Sequence, residues 1–175
     1  MKKLLLFSIL FFNSFLFSQI NWTSLEQAVA AQTSNPKKIV IFFYSESSSA
    51  CKKLETDTYN HLEISKILND QFYPVKFNVE GNENFKFLNR TFSNSSAERN
   101  QKSNHDFANF MNVTTVPSTV FLDEKNNPIT VLQGALTAKE LEPYLQFIAT
   151  DEYKKVENAS KWETYRKKFK SKIKD

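Results

Sequence analysis

Between Lys38 and Tyr44 the chain reads Ile-Val-Ile-Phe-Phe, with no polar residue to mark a solvent face. A strand wetted on one side alternates apolar and polar side chains, so a continuous β-branched and aromatic run such as Lys37 to Tyr44 reads as a strand buried on both faces. Serines follow it, and serine is a good helix N-cap; the helix-forming stretch Ala50-Cys-Lys-Lys-Leu-Glu-Thr-Asp-Thr-Tyr-Asn60 comes next. A second helical segment, His61 to Phe72, spaces Leu62, Ile64, Ile67 and Leu68 for burial and leads into another strand over Tyr73 to Val79. Strand, helix, strand in this order calls for parallel pairing through a right-handed crossover. The chain is thereby held to the α/β class.

The remaining elements follow from the same kind of reading. Ser24 to Gln32 has the apolar spacing of a short helix, with Leu25, Ala28, Val29 and Ala31. Between Glu80 and Asn104 the chain is polar apart from Phe-Lys-Phe and Thr-Phe around Leu88-Asn89-Arg90, and Asn tolerates positive φ, so a small hairpin followed by a Ser/Asn-rich loop is expected. Ser103-Asn-His-Asp106 opens a helix through Met111, two strands flank a turn at Glu124 to Pro128, and Thr137 to Ile148 is a final amphipathic helix.

The start of the chain is of a different kind. Two lysines precede an apolar run from Leu4 to Phe17, then Ser18 and Gln19. That is the layout of a secretory signal peptide over residues 1–19, and the run is short for a membrane span of roughly 20 residues. After cleavage no span is expected, and the protein is placed in a periplasm or beyond. Cys51 is the only cysteine of the 175 residues, so the fold forms no internal disulfide and stands on its core, for which 41% hydrophobic residues and 17 phenylalanines suffice. With one Cys and two His in the chain, a structural zinc site of four Cys/His ligands is excluded and no metal is expected.

Charge is informative by region. Residues 151–175 hold nine Lys/Arg against five Asp/Glu, a basic extension in which Val156, Trp162, Phe169 and Ile173 fall near helical spacing. The expectation is a helix docked on the body through these residues, with the basic side chains solvated and no nucleic acid bound.

The order of elements, together with four short segments, resembles the thioredoxin-fold proteins, and among them the exported thioredoxin-related proteins of the Bacteroidetes. That group reads Asp-Trp-Cys-Gly-Trp-Cys-Lys at its active segment, then a Phe-Lys-Gly-Lys-Thr-Tyr hairpin, a His-Glu-Leu-Ala helix start and Tyr-Pro-Thr-Thr-Val-Phe-Leu-Asp. The matching segments here are Glu46-Ser-Ser-Ser-Ala-Cys-Lys52, Phe87-Leu-Asn-Arg-Thr-Phe92, His105-Asp-Phe-Ala108 and Val116-Pro-Ser-Thr-Val-Phe-Leu-Asp123. The resemblance implies a thioredoxin-like domain over 20–150, with a central mixed sheet flanked by helices, a hairpin insertion and the C-terminal extension 151–175. It implies no cofactor.

Carried over by position, Cys51 matches the second cysteine of Cys-x-x-Cys, Ser48 stands in place of the first, and Ser47 in place of the usual Trp. In the family the first cysteine attacks, its thiolate favoured at a helix N-terminus; a serine hydroxyl ionises far less readily and forms no disulfide. Phe42 occupies the position of the buried Asp that serves the resolving cysteine as base. Val116-Pro117 matches the family's cis-proline, beside which an extended peptide pairs by strand addition. Two functions are therefore expected from this resemblance. One is a redox-inactive module that holds exported polypeptides or a periplasmic partner protein in a groove of Ser47, Ser48, Val116 and Pro117; the other is a monothiol disulfide-exchange protein that uses Cys51.

Overall fold

The computed structural model describes residues 19–95, 104–155 and 159–174. The apolar leader, the middle of the Ser/Asn-rich loop with Ser103, and Val156 lie outside the described residues. In chain order the elements are α1 (Leu25–Gln32), β1 (Lys38–Tyr44), α2 (Ser49–Leu54), α3 (Leu62–Gln71), β2 (Phe72–Asn78), β3 (Phe85–Phe87) and β4 (Arg90–Phe92). They continue with α4 (Asp106–Phe110), β5 (Ser118–Leu122), β6 (Pro128–Gln133), α5 (Ala138–Ala149) and α6 (Ala159–Lys168).

The apolar run is the inner strand β1, buried from Lys38 through Phe43. It pairs in parallel with β2, Ile41 beside Val75, and antiparallel with β5, Ile41 beside Val120. With β6 antiparallel to β5, the mixed sheet has the order β2-β1-β5-β6. Successive residues of β1 point to opposite sides of the sheet, and each side has its own apolar layer. Val40 and Phe42 join Leu54, Ile64, Leu68, Leu141 and Leu145 from α2, α3 and α5. Ile39, Ile41 and Phe43 join Leu25 and Ala28 of α1, the hairpin phenylalanines 85, 87 and 92, and Phe107 of α4. Two layers explain why the run needs no polar alternation.

Local chemistry sets the element ends. Ser24 and Gln27 form a capping box at α1, and Thr137 and Glu140 form another at α5. The β3–β4 hairpin turns at Leu88 and Asn89, both at positive φ, 48° and 61°, which suits Asn and strains Leu.

In two places the structure departs from the expectation. The helix read over residues 50–60 is α-helical only to Leu54; Glu55–Tyr59 is a π-helical turn. The wider turn brings Thr58 and Tyr59 inward, where both are buried. In the tail, Trp162 of α6 stacks on Tyr144 of α5 at 4.3 Å and Tyr165 meets Phe147 at 4.6 Å, whereas the ring neighbour of Phe169 is Tyr165 within the tail itself. Ile173 is not on the helix. It enters the core from the segment after α6, which is tied down by the buried carboxylate of Glu142, acceptor to the backbone N–H of Lys172 at 3.0 Å and to the Ser171 hydroxyl.

A buried cation fixes the far end of the sheet. Lys38 Nζ lies 2.7 Å from Glu124 and 2.8 Å from Asp151. Burial alone would lower the Lys38 pKa, but the hydrogen bonds to Asp151 and Glu124 outweigh it and the pKa is raised.

Candidate functional site

At the end of β1 the chain turns on its serines. The buried Ser45 shares a hydroxyl–hydroxyl hydrogen bond of 2.8 Å with Ser47 and accepts the Ser47 backbone N–H at 3.2 Å, while its carbonyl accepts the Ser48 N–H. Ser48 is the N-cap of α2, in extended backbone, and its Oγ accepts the Cys51 N–H at 3.3 Å. The Ser47 hydroxyl donates to Glu80 at 3.2 Å. Both hydroxyls at the positions singled out in the sequence are thus engaged in shaping the turn.

Cys51 lies one turn inside α2, 2% exposed and unpaired, in the core layer with Leu54 and Phe42. Its burial gives it the surroundings of a small packed hydrophobe rather than of an attacking thiol. A thiol reagent is expected to modify Cys51 slowly in the native protein and roughly a hundredfold faster or more once it is unfolded; equal rates in the two states would show an open thiol.

Phe42, matched in the sequence to the position of a buried carboxylate, is fully buried and ringed by aromatics: Tyr59 at 4.7 Å, Tyr44 at 5.6 Å and Trp22 at 6.1 Å between centroids. Tyr59 is itself buried, its hydroxyl bonded to that of Thr119 on β5 at 2.7 Å, and burial pushes its phenol well above the ordinary range. Burial also raises Tyr44, against the pull of the Lys76 ammonium, which sits over its ring at 4.6 Å and pairs with Glu55 at 2.6 Å. Phe42 is thus enclosed by rings, and its two phenol neighbours hold their protons.

The Val116–Pro117 peptide is cis. Phe43 is opposite Ser118 in the register of β1 and β5, so Pro117, one residue earlier, falls at the same end of the sheet as Ser45–Ser48. The topology brings Ser47, Ser48, Val116 and Pro117 to one end, with Cys51 below the surface. Gln133 organises the loop: its side chain accepts from Ser118 Oγ at 3.0 Å and from the Thr114 N–H, and donates to the Asn112 carbonyl at 2.7 Å. The Gly134 N–H bonds the Pro117 carbonyl at 2.9 Å. Gln133, Glu80 and Tyr59 carried no local signal in the sequence, because their partners are distant along the chain. Among the described residues no group of three or more His, Cys, Asp or Glu is placed to hold a metal, and no helix is long and apolar enough to cross a membrane.

Residues 25–149 match the family described as "Thioredoxin-like domain". Among solved structures the chain is similar to a thioredoxin-fold protein from Helicobacter pylori, with 20% identity, 76% of this chain and 84% of that one covered, and a TM-score of 0.61. It is also similar to a thioredoxin from Thermus thermophilus, at 17% identity over 76% and 89% of the two chains with a TM-score of 0.57. A third, titled DsbH oxidoreductase, gives 16%, 76% and 85% with a TM-score of 0.53. Comparison with curated proteins gives no match.

Proposed function

The chain belongs to the family of thioredoxin-like domains, and from that membership we propose that it is an exported member, of the kind found in the Bacteroidetes, that binds extended polypeptides or a periplasmic partner protein without exchanging disulfides. The observation that carries this reading is the state of the Ser-x-x-Cys segment. Ser48 stands where the family's attacking thiol would be and serves as a helix cap, while Cys51 is enclosed in the core. A disulfide cannot form between a hydroxyl and a thiol, and Phe42 leaves no buried carboxylate at the resolving position. The relation to thiol–disulfide oxidoreductases is then one of descent, with the dithiol chemistry gone and the groove kept.

Binding would use the end of the sheet where Ser47, Ser48, Val116 and Pro117 meet. Strand addition beside Pro117 takes affinity from main-chain hydrogen bonds and selectivity from neighbouring side chains. The leader sequence supports export, and a soluble mature protein meets its partner outside the cytoplasm.

The test is binding of a panel of extended peptides, read by fluorescence anisotropy. Cys51→Ala should bind as the parent does, and Val116→Pro, which removes the backbone N–H next to the cis-proline, should bind about tenfold or more weakly, with a melting curve as control for folding. Loss of binding in Cys51→Ala with the fold intact would point to a monothiol role, and unchanged binding in a folded Val116→Pro would remove the groove from the proposal.

A further inference from the structure

The end of the sheet that carries the serine loop is acidic. β1 and β2 finish side by side, with Tyr44 opposite Asn78 and the Val79 N–H bonded to the Tyr44 carbonyl at 2.8 Å. Glu46 and Glu80, each two residues further on, therefore leave the two strands at the same place. Glu46 is an exposed member of the serine loop itself, and Glu80, also exposed, is held to that loop by the Ser47 hydroxyl at 3.2 Å. Glu83 is near as well. Burial is the main cause of the raised Tyr44 pKa and Lys76 opposes it, while the charges of Glu46, Glu55 and Glu83 all act in the same direction as burial.

Cations do not match these carboxylates. Lys76 is taken by Glu55 and Lys53 by Asp57. Lys52, whose N–H bonds the Ser48 carbonyl at 3.2 Å, lies a full turn into α2. Among the described residues Glu46, Glu80 and Glu83 form no salt bridge, and the Glu80 carboxylate has the uncharged Ser47 hydroxyl as its donor. On the other flank of β1, the pairing of Phe43 with Ser118 sets Pro117 beside Tyr44. Neighbouring strands lie about 4.8 Å apart, so the Pro117 corner and the Glu80 corner are about 10 Å from each other across the serine loop. One long side chain of a peptide paired beside Pro117 spans that gap.

We propose that the groove selects extended polypeptide segments that carry lysine or arginine, the cation held by Glu46 and Glu80 while the main chain pairs beside Pro117. This rests on the groove reading above and adds to it the charge of the partner.

Fluorescence anisotropy tests this, with the full chain and three labelled Thr/Val peptides that are identical but for two positions holding Lys, Gln or Glu. The Lys peptide is expected to bind about threefold or more tighter than the Gln peptide at low ionic strength, with the Glu peptide weakest, and high salt should bring the three together. Glu46→Gln with Glu80→Gln keeps an acceptor for Ser47 and should erase most of the Lys preference; if the pair does not fold, Glu46→Gln alone, at an exposed loop position, should lower it. Binding of the Gln peptide with no preference for Lys would overturn the inference and leave the groove reading standing. A Lys preference that survives these substitutions, or Lys-peptide binding unmoved by Val116→Pro, would put the attraction on another surface and overturn it too. Failure of all three peptides to bind would remove the groove, and this inference with it.

Discussion

A Ser48→Cys variant is expected to close a disulfide with Cys51 under mild oxidation and to gain reduction of a disulfide substrate, whereas the parent protein gives no turnover. The geometry is set by the cap: Ser48 Oγ accepts the Cys51 N–H at 3.3 Å, so the side chain at position 48 already lies over the first turn of α2. Residues three apart at a helix start have Cβ atoms about 5–6 Å from each other, which small rotations bring within the span of a disulfide. The new thiol would sit at a helix N-terminus, where the dipole favours its ionised form. Turnover should stay well below that of an intact dithiol protein, because the resolving thiol has Phe42 rather than a carboxylate beside it. Turnover by the parent would defeat the redox-inactive reading. A folded variant in which positions 48 and 51 fail to cross-link would show that these two residues are not the matched pair.

The converse substitution, Phe42→Asp, is expected to cost more stability than any other single change at this end of the sheet. Phe42 is fully buried and has Tyr59, Tyr44 and Trp22 as ring neighbours. Truncating a buried phenylalanine costs about 3–5 kcal/mol, and a carboxyl left without partners among those rings adds roughly 1–3 kcal/mol. Denaturant unfolding should register a loss near the sum, which exceeds the stability of many small domains. A variant within about 1 kcal/mol of the parent would mean that water or a hydrogen-bonding group reaches position 42, and that the aromatic enclosure is looser than these ring distances require. If position 42 corresponds to the family's buried base, as the proposed function holds, its aromatic enclosure means that restoring dithiol chemistry in full is not a matter of two substitutions.

Much of the fold was legible because its signals are local. An uninterrupted apolar strand, a serine cap, an Asn in a tight turn and a proline before a strand each act within a few residues, and β1, the start of α2, the β3–β4 hairpin and the Val116–Pro117 corner are where they were read. The inward position of Cys51 follows from its place one turn after the cap. What escaped is of longer range or of finer geometry. No residue type announces the π-helical turn at Glu55–Tyr59, since side-chain periodicity of 3.6 and of slightly more differ little over five residues. Glu80 reaching Ser47, Gln133 bracing the loop before β5 and Lys38 drawing in Glu124 and Asp151 are pairings between distant segments. The tail was read as one helical face; Ile173 reaches the core after the helix has ended, by a backbone tie that amphipathic spacing does not describe.

That tie changes what counts as the folding unit. The stretch shared with the family is 25–149, yet Ile20 before it and Ile173 after it are buried in the same apolar layer as Phe42 and Leu141. The inherited module is therefore smaller than the cooperative body: a segment cut at the limits of sequence likeness would leave out two of the residues that seal its interior. In this chain autonomy belongs to the module together with its flanks. Closing that layer brings together contacts far apart in sequence, an ordering cost the module alone does not meet.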